Sequence, residues 1–480
     1  MEAAILKDNY RLKDILILLL SIILALISII IGTNGDITIS IIISMLGFVI
    51  MVFGVLSCLK NYASLTMAFL AFMFLYTYAG VAAVVWGSGL HPIFNTKYQP
   101  EIFIVYSNIA YSTLYLGFLI NYNTMQAKKI TGYKSIKLNT NKKIINRAIL
   151  TSIMALSMEF INFIRVGGFT AVALGKAYYG SQISELSFTL PSEMFLIVSG
   201  IYFSLYISNH IYKEFRPIKR RIILYIISTS MLLLLYIILG MRGVLLSYSM
   251  ILLVGYLHKK TINKISLKLI TLILIVYFLF ALIYSARASI GFFLIENRDF
   301  QGFIDVVFRK ERIVDALLPT EFTVAFGNFN QYITSTSNHI LKLGSTYLVG
   351  LLIIIPGFLY PGTKPLQIVY EFRNAYFPTE AARGSIAGTG FSILLESYMN
   401  FGVFGIILTY FVIGLILAKL EKLRATNKNS ILISAIYLSC FYFVAHFQRS
   451  SFADILSNIF MLLIVILISG IGLIQIKIHK

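Results

Sequence analysis

The sequence predicts an all-α polytopic membrane protein, and three observations support this prediction. Of the 480 residues, 58% are hydrophobic and only 12% are charged, about half the charged share of a soluble domain. Apolar runs long enough to cross a bilayer recur along the whole chain. Several connections between them are strongly basic. We therefore expect residues 1–480 to form a single integral membrane domain.

Twelve apolar runs predict about 12 transmembrane helices. The first run follows Lys7, Arg11 and Lys13 but has no small-residue cleavage site, which indicates a retained helix and not a signal peptide. The predicted spans are 14–32, 37–58, 64–86, 101–121, 147–165, 189–208, 222–239, 244–257, 269–286, 390–418, 431–447 and 455–475.

Four basic connections, 128–147, 210–221, 258–268 and 419–428, indicate the orientation. Because cytoplasmic loops of membrane proteins are enriched in Lys and Arg, we place all four inside the cell, and the N and C termini are then cytoplasmic. The formal net charge of +20 could indicate a nucleic-acid partner. The charges are scattered among apolar segments, so we expect no nucleic acid to bind.

Residues 286–389 are predicted to form one large external (periplasmic) loop. The apolar stretch 346–360 within it is short and contains Pro356, and a crossing there would move the basic connection 419–428 outside. We interpret this stretch as re-entrant or interfacial. Apolar residues at helical spacing from Phe300 to Leu318 further predict an amphipathic helix that lies on the membrane and ends at the following proline.

Arginine is distributed differently from lysine. On this topology most lysines are cytoplasmic, whereas nine of the 15 arginines are external or near the outer boundary. The rigid donor fork of arginine matches phosphate and carboxylate oxygens, so these residues could bind an anionic substrate. They could equally pair with external carboxylates. The available carboxylates are those of Asp299, Asp305, Glu311, Glu371 and Glu380.

Two charges are predicted to lie within the membrane. The hairpin from Arg221 to Leu257 is too short for two full crossings, which draws Arg242 to or below the outer hydrocarbon boundary. Glu396 follows a helix start expected near Thr389 by about 10 Å. It could be a structural partner for an embedded arginine, or it could line a hydrated cavity. Below it, Gly402 and Gly405 are expected to let neighbouring helices approach closely.

Other polar residues give weaker signals. Glu159 and Arg165 could pair with each other, and Glu193, His446, Arg449 and Asp454 fall at the outer ends of spans. Cys58 and Cys440 are too isolated for a disulfide framework. The chain contains no P-loop, HExxH or GxSxG motif and no clustered metal ligands, so we expect neither a metal nor a cofactor.

Four features together resemble a family. They are the G-x-R turn at 240–242, Arg287 after the next outward span, "LPTEF" at 318–322 and "GTGFSILLESYMNFGVFG" at 388–405. The chain resembles the oligosaccharide repeat unit polymerases, the Wzy-type O-antigen and capsular polysaccharide polymerases of bacterial cytoplasmic membranes. An RX10G element of the kind found in these enzymes runs from Arg373 to Gly384.

The resemblance implies glycosyl transfer between undecaprenyl pyrophosphate-linked oligosaccharides on the outer face of the membrane. Membrane lipids would surround the enzyme, and a flippase and a chain-length regulator of the same pathway would be its partners. Embedded arginines can stabilise a pyrophosphate leaving group without a metal. The candidate catalytic residues are Arg242, Arg287, Glu321, Glu396 and Tyr398, and the candidate substrate-binding residues are Arg165, Arg309, Arg312, Arg373, Arg383 and Arg449.

Three other functions are compatible with a many-span membrane protein. An O-antigen ligase shares the substrate but is expected to use a loop histidine, for which His339 is the candidate. A lipid-linked oligosaccharide flippase or other transporter would not need such a large external loop. A metal-dependent glycosyltransferase would show acidic residues in its first external loop, where only Asp36 lies.

Overall fold

A computed structural model describes most of the chain, and the described residues that form regular structure are all helical. The described ranges are 2–59, 61–85, 98–124, 138–173, 190–213, 219–239, 241–257, 299–309, 320–335, 341–355, 363–379, 390–427 and 430–470, with the single residues 271, 275 and 360.

These ranges contain sixteen helices. They are α1 (Glu2–Thr33), α2 (Ile37–Leu59), α3 (Leu65–Val85), α4 (Pro100–Thr124), α5 (Leu138–Arg165), α6 (Gly168–Ala173), α7 (Ser192–Lys213), α8 (Lys219–Ile238), α9 (Arg242–Leu257), α10 (Phe300–Val307), α11 (Thr320–Thr334), α12 (Ser345–Ile353), α13 (Ile368–Tyr376), α14 (Ile393–Thr426), α15 (Ile431–Arg449) and α16 (Phe452–Ser469).

Nine of the described helices, α1 to α5, α8 and α14 to α16, are long and apolar enough to cross a membrane. The apolar parts of α7 and α9 are shorter, Ser192–Ser208 and Gly243–Leu257. Eleven of the twelve predicted spans therefore coincide with a helix, and the predicted span 269–286 lies outside the described residues except for Thr271 and Ile275. Large apolar side chains are exposed along these helices, as lipid contact requires. The chain is a multi-pass membrane protein.

Helix ends that the sequence assigned to one side of the membrane lie together. The carboxylate of Glu421, near the end of α14, accepts a hydrogen bond from the Thr66 amide at the start of α3 at 3.0 Å. Arg147, near the start of α5, donates to the Ser469 carbonyl at the end of α16 at 2.5 Å. These contacts satisfy backbone groups that helix ends otherwise leave unpaired.

Close packing of α4 on α14 depends on Gly117 and Gly414. A Cβ atom added to Gly117 would lie 2.2 Å from the Phe411 carbonyl oxygen, and one on Gly414 would lie 2.1 Å from that of Leu114.

The prediction that Gly402 and Gly405 serve such helix contacts is wrong. Gly402 has φ +60° at a break within α14 itself, and a Cβ atom on Gly405 would meet the Ser397 carbonyl of the same helix.

Helix α11 belongs to the large loop, yet it packs between the membrane helices. Its Phe322 ring lies 4.9 Å from Tyr76, which is about halfway along α3. At its other end, the Asn330 side chain accepts a hydrogen bond from the Gln99 amide, just before α4, at 2.8 Å. The helix therefore begins inside the bundle and ends at the level where α4 starts.

Two further loop helices are short. The amphipathic helix begins as predicted, with Asp299 capping α10, but α10 ends at Val307. The prediction of one helix continuing to Leu318 is wrong, because the Phe308 amide closes the last turn on the Ile304 and Val306 carbonyls. Residues 310–319 lie outside the described residues. The nine residues of α12 extend only about 13 Å, too little for a crossing.

Candidate active site

Glu396 lies at the centre of a polar contact between three helices. Its side chain is fully buried, with 0% exposure. One carboxylate oxygen accepts a hydrogen bond from the Thr346 hydroxyl of α12 at 2.7 Å. The other oxygen accepts one from the Phe452 backbone amide, the first of α16, at 2.6 Å. Among the described residues the contacts of Glu396 are thus with a hydroxyl and a helix N-terminus. Neither of the two environments that the sequence offered, an embedded arginine or a hydrated cavity, is found around this side chain in the described part of the chain.

Asn400 completes this contact from the next turn of α14. Its side-chain amide donates to the Thr346 hydroxyl at 2.7 Å, and its side-chain oxygen accepts from the Gly344 amide at 3.0 Å. Two backbone bonds, from Lys342 to the Met399 carbonyl and from Leu343 to the Asn400 carbonyl, tie the same loop segment to α14. Residues 342–346, which belong to the predicted external loop, are therefore fixed to this end of the helix.

The start of α14 differs from the sequence prediction. Ser392 caps the helix by accepting from the Leu395 amide, so Glu396 lies in the first turn and not about 10 Å below a start near Thr389. Non-helical backbone at Phe401 and Gly402 then breaks the helix. Residues eight apart in a straight helix are separated by about 12 Å, yet Gly405 lies close to the Ser397 carbonyl. The segment of α14 before the break therefore bends sharply against the segment after it.

A line of polar residues leads away from Glu396 along the ends of α15 and α16 that the sequence predicts to be external. Ser451 and Asp454 form a capping box at the start of α16. The preceding residue, Ser450, lies 3.5 Å from Nδ1 of His446. The His446 ring lies 4.6 Å from the Tyr442 ring, which belongs to α15.

The same line continues to α7. Tyr442 donates to the Glu193 carboxylate at 2.8 Å. Next to it, Ser192 donates to Glu159 of α5 and accepts from the Tyr236 hydroxyl of α8 at 3.2 Å. Glu159, which the sequence offered as a partner for Arg165, is thus bonded to Ser192. The sequence placed most of these residues at outer helix ends, and the structure joins them.

The end of this line reaches the turn that carries Arg242. Leu239 and Met241 pack with Phe163 and Val166 in a small apolar cluster, and Arg165 is the last residue of α5. Helix α9 starts at Arg242 and has 16 residues, about 24 Å, which is short of a membrane core of about 30 Å. The short hairpin predicted from the sequence is present.

The other candidate residues are distributed around this region. Arg309 is exposed directly after α10, and Arg449 ends α15 two residues before the cap of α16. Arg373 lies over the Tyr370 ring at 5.4 Å and donates to Asn374. The backbone of Arg242 and of Glu321 is described, but their side chains are not. Arg287, Arg312, Arg383 and His339 lie outside the described residues.

The acidic residues expected to pair with external arginines have other partners in the described ranges. Glu371 forms an ion pair with Lys342 at 2.8 Å. Asp299 accepts from the Gly302 amide, and Asp305 accepts from the Gln301 side chain. Glu311 and Glu380 lie outside the described residues.

Tyr398 lies on α14 two residues after Glu396 and belongs to an aromatic cluster. Its ring centroid is 4.8 Å from that of Tyr106 and 6.2 Å from that of Tyr332. The Tyr106 and Tyr398 hydroxyls are 3.4 Å apart. Sequence reasoning missed Tyr106, Tyr332 and Thr346, because ordinary boundary aromatics and a small polar side chain carry no local signal of a shared site.

One comparison identifies the family. The family model for the O-antigen polysaccharide polymerase Wzy matches residues 15–478. No curated protein and no solved structure shows a significant match to the chain. Because the match covers nearly the whole sequence, including every helix of the polar line, this chain belongs to the O-antigen polysaccharide polymerase Wzy family.

Proposed function

We propose that this protein polymerises undecaprenyl pyrophosphate-linked oligosaccharide repeat units on the outer face of the bacterial cytoplasmic membrane. The observation that carries the proposal is the family match over residues 15–478. The product is an O-antigen or a capsular polysaccharide. A flippase that delivers the repeat units and a chain-length regulator are the partners expected in the pathway.

The reaction is a displacement at an anomeric carbon. A hydroxyl group at the nonreducing end of one repeat unit attacks the anomeric carbon of the growing glycan. A glycosidic C–O bond forms, the bond from that carbon to the pyrophosphate oxygen breaks, and the hydroxyl proton passes to a base. Negative charge accumulates on the departing pyrophosphate, so fixed cations at the membrane boundary lower the barrier.

Arginines supply these cations in the proposal. Arg242 and Arg287 stabilise the leaving pyrophosphate, since an arginine fork can bind two phosphate oxygens at once. The packing of Leu239 and Met241 against the outer end of α5 supports a joint role for Arg242 and Arg165. The remaining proposed substrate contacts are Arg309, Arg312, Arg373, Arg383 and Arg449.

Glu321 and Glu396 are the carboxylates considered for the base. Both carboxylate oxygens of Glu396 are occupied, one by Thr346 and the other by Phe452. This arrangement favours a role for Glu396 in positioning α12 and α16, and not in contacting a sugar hydroxyl. We therefore assign the base to Glu321 in the first turn of α11. Tyr398 contacts the acceptor sugar. The contact between Phe322 and Tyr76 supports a location of Glu321 within the bundle.

Deletion of the gene in a host with lipopolysaccharide tests the function. We expect the mutant to display single repeat units on its surface lipid, because transport and ligation continue without polymerisation. Expression of the wild-type chain should restore a ladder of long glycans. Absence of all repeat units from the surface of the deletion strain would contradict the proposal and indicate a flippase.

A further inference from the structure

We infer that three tyrosines, Tyr106, Tyr376 and Tyr398, together with the buried Tyr332 that supports them, form a binding surface for a neutral sugar ring of the glycan. We call these residues the tyrosine surface. The inference rests on the proposed function and specifies which part of the substrate the outer end of the bundle recognises. The pyrophosphate is assigned to the arginines and not to this surface.

The four rings form one continuous group contributed by four helices. Tyr106 of α4 lies 4.8 Å from Tyr398 of α14, and Tyr398 lies 6.2 Å from Tyr332 of α11. Tyr332 in turn lies 5.7 Å from Tyr376 of α13. Phe329 supports the group from beneath, with its ring 5.5 Å from Tyr106 and 5.6 Å from Tyr398.

The location distinguishes the tyrosine surface from an interfacial aromatic belt. Belt residues point outward to the lipid headgroups, whereas these rings converge where the external loop meets the bundle. Tyr332 is 3% exposed and acts as the support, whereas the other three tyrosines are half-buried and provide the accessible ring area. The surface therefore keeps open ring area on a rigid support, which suits a ligand.

The chemistry of the tyrosine surface suits an uncharged sugar. The C–H bonds on the face of a pyranose ring are electropositive and rest favourably on the electronegative face of an aromatic ring. Tyrosine hydroxyls can donate to or accept from sugar hydroxyls. A tyrosine hydroxyl is already uncharged at neutral pH, and burial, followed by the neighbouring Tyr376 and Tyr398, raises the pKa of Tyr332 further, to about 12. Nearby, Lys342 is already paired with Glu371.

Proximity links the tyrosine surface to Glu396, the residue that positions α12 and α16. Tyr398 and Glu396 lie within two residues of each other at the start of α14, and Glu396 fixes that segment to α12 and α16. A sugar resting on Tyr398 is thus held by the same segment that is anchored to the external loop.

Binding of free oligosaccharide tests the inference separately from polymerisation. The probe is a set of oligosaccharides of two and three repeat units, released by mild acid from wild-type polysaccharide. Binding to purified protein in lipid nanodiscs is measured by saturation-transfer NMR and calorimetry. We expect Tyr398→Leu and Tyr376→Leu each to weaken binding about tenfold, and Tyr398→Phe, which keeps the ring, only about two- to threefold.

Tyr62→Leu is the matched control, because Tyr62 is a half-buried tyrosine between α2 and α3 at the opposite end of the bundle. It should bind the probe as the wild type does. Melting temperatures identify any variant that fails to fold. Because the two leucine variants lie on different helices, the test can still be decided if one of them is unstable. Wild-type affinity in both leucine variants, or no binding by a wild type that forms long glycans in cells, would overturn the inference and leave the proposed function intact.

Discussion

The carboxylate of Glu396 accepts a hydrogen bond from the backbone amide of Phe452, the first residue of α16, at 2.6 Å. A single buried side chain in α14 therefore caps another membrane helix and, through its second oxygen, holds α12, a helix of the predicted external loop. Carboxylates at helix N-termini are stabilised by the helix dipole. We therefore propose that Glu396 is a positioning residue, and this role can be tested.

We predict that Glu396→Gln and Glu396→Ala lower thermal stability and polymerisation together. Glutamine can still accept from Phe452 but offers the Thr346 hydroxyl no second acceptor, whereas alanine leaves both donors unpaired at a cost of about 2–4 kcal/mol. Melting curves of purified protein and surface glycan ladders measure the two effects. Thr346→Val removes the same contact from the other side, together with the hydrogen bond that the Thr346 hydroxyl accepts from Asn400, and should also lower stability. A Glu396→Gln variant with wild-type stability and no long glycans would instead identify Glu396 as the catalytic base.

The break in α14 predicts a second effect. Gly402 has φ +60° and ψ −143°, a conformation almost restricted to glycine. We therefore expect Gly402→Ala to lower stability by about 1–3 kcal/mol, measured as a reduced melting temperature. Gly243→Ala is the control, because a Cβ atom there would meet nothing within 4 Å. Equal stability of the two variants would show that the break is not required.

Hydropathy predicted nearly all of the described membrane helices, because each apolar run is a local property of the sequence. It did not predict α11, whose buried Asn328 and Asn330 argue locally against insertion. Asn328 donates to the Gly390 carbonyl, and Asn330 accepts from Gln99. These partners are distant in sequence and become visible only once the chain is folded.

The candidate site shows the same limit. Glu396 was recognised as unusual because its carboxylate lies within an apolar run of the sequence. Its partners, a hydroxyl 50 residues earlier and a backbone amide 56 residues later, have no local pattern. Within the described residues the partners of Glu396 are a hydroxyl and a helix N-terminus, and a helix N-terminus can satisfy a buried carboxylate without an arginine.

The orientation of the bundle gives a third prediction. Reporter fusions after Lys137, Lys260 and Arg424 should be cytoplasmic, and fusions after Asn330 and Arg373 should be external, because lysine-rich connections remain inside. The bond between Glu421 and Thr66 places the end of α14 beside the start of α3. An external reporter after Arg424 would therefore reverse both ends and contradict the predicted topology.

Metal dependence gives a fourth prediction. If arginines stabilise the leaving pyrophosphate, polymerisation by purified protein should continue at an unchanged rate in EDTA. Glycan formation from lipid-linked repeat units, followed by gel electrophoresis, measures the rate. Loss of activity with EDTA, followed by recovery on addition of a divalent ion, would support a metal-dependent glycosyltransferase.

The last prediction concerns Arg242 at the start of α9. Lysine keeps the charge at this position but replaces a fork of donors by a single ammonium group. If Arg242 binds two pyrophosphate oxygens, Arg242→Lys should lower the rate of polymerisation by about one to two orders of magnitude. Insertion and expression should be unchanged, because the substitution preserves the charge and the helix start.

Arg220→Lys is the matched control for Arg242→Lys, because Arg220 is an exposed arginine at the opposite end of the same hairpin. Glycan ladders from cells with equal amounts of each variant, together with rates from purified protein, separate a catalytic defect from a folding defect. A reduced rate in Arg242→Lys alone indicates that fork geometry is required, since both substitutions preserve charge. Equal rates in the two variants would exclude bidentate binding of pyrophosphate by Arg242 and leave Arg287 to supply it.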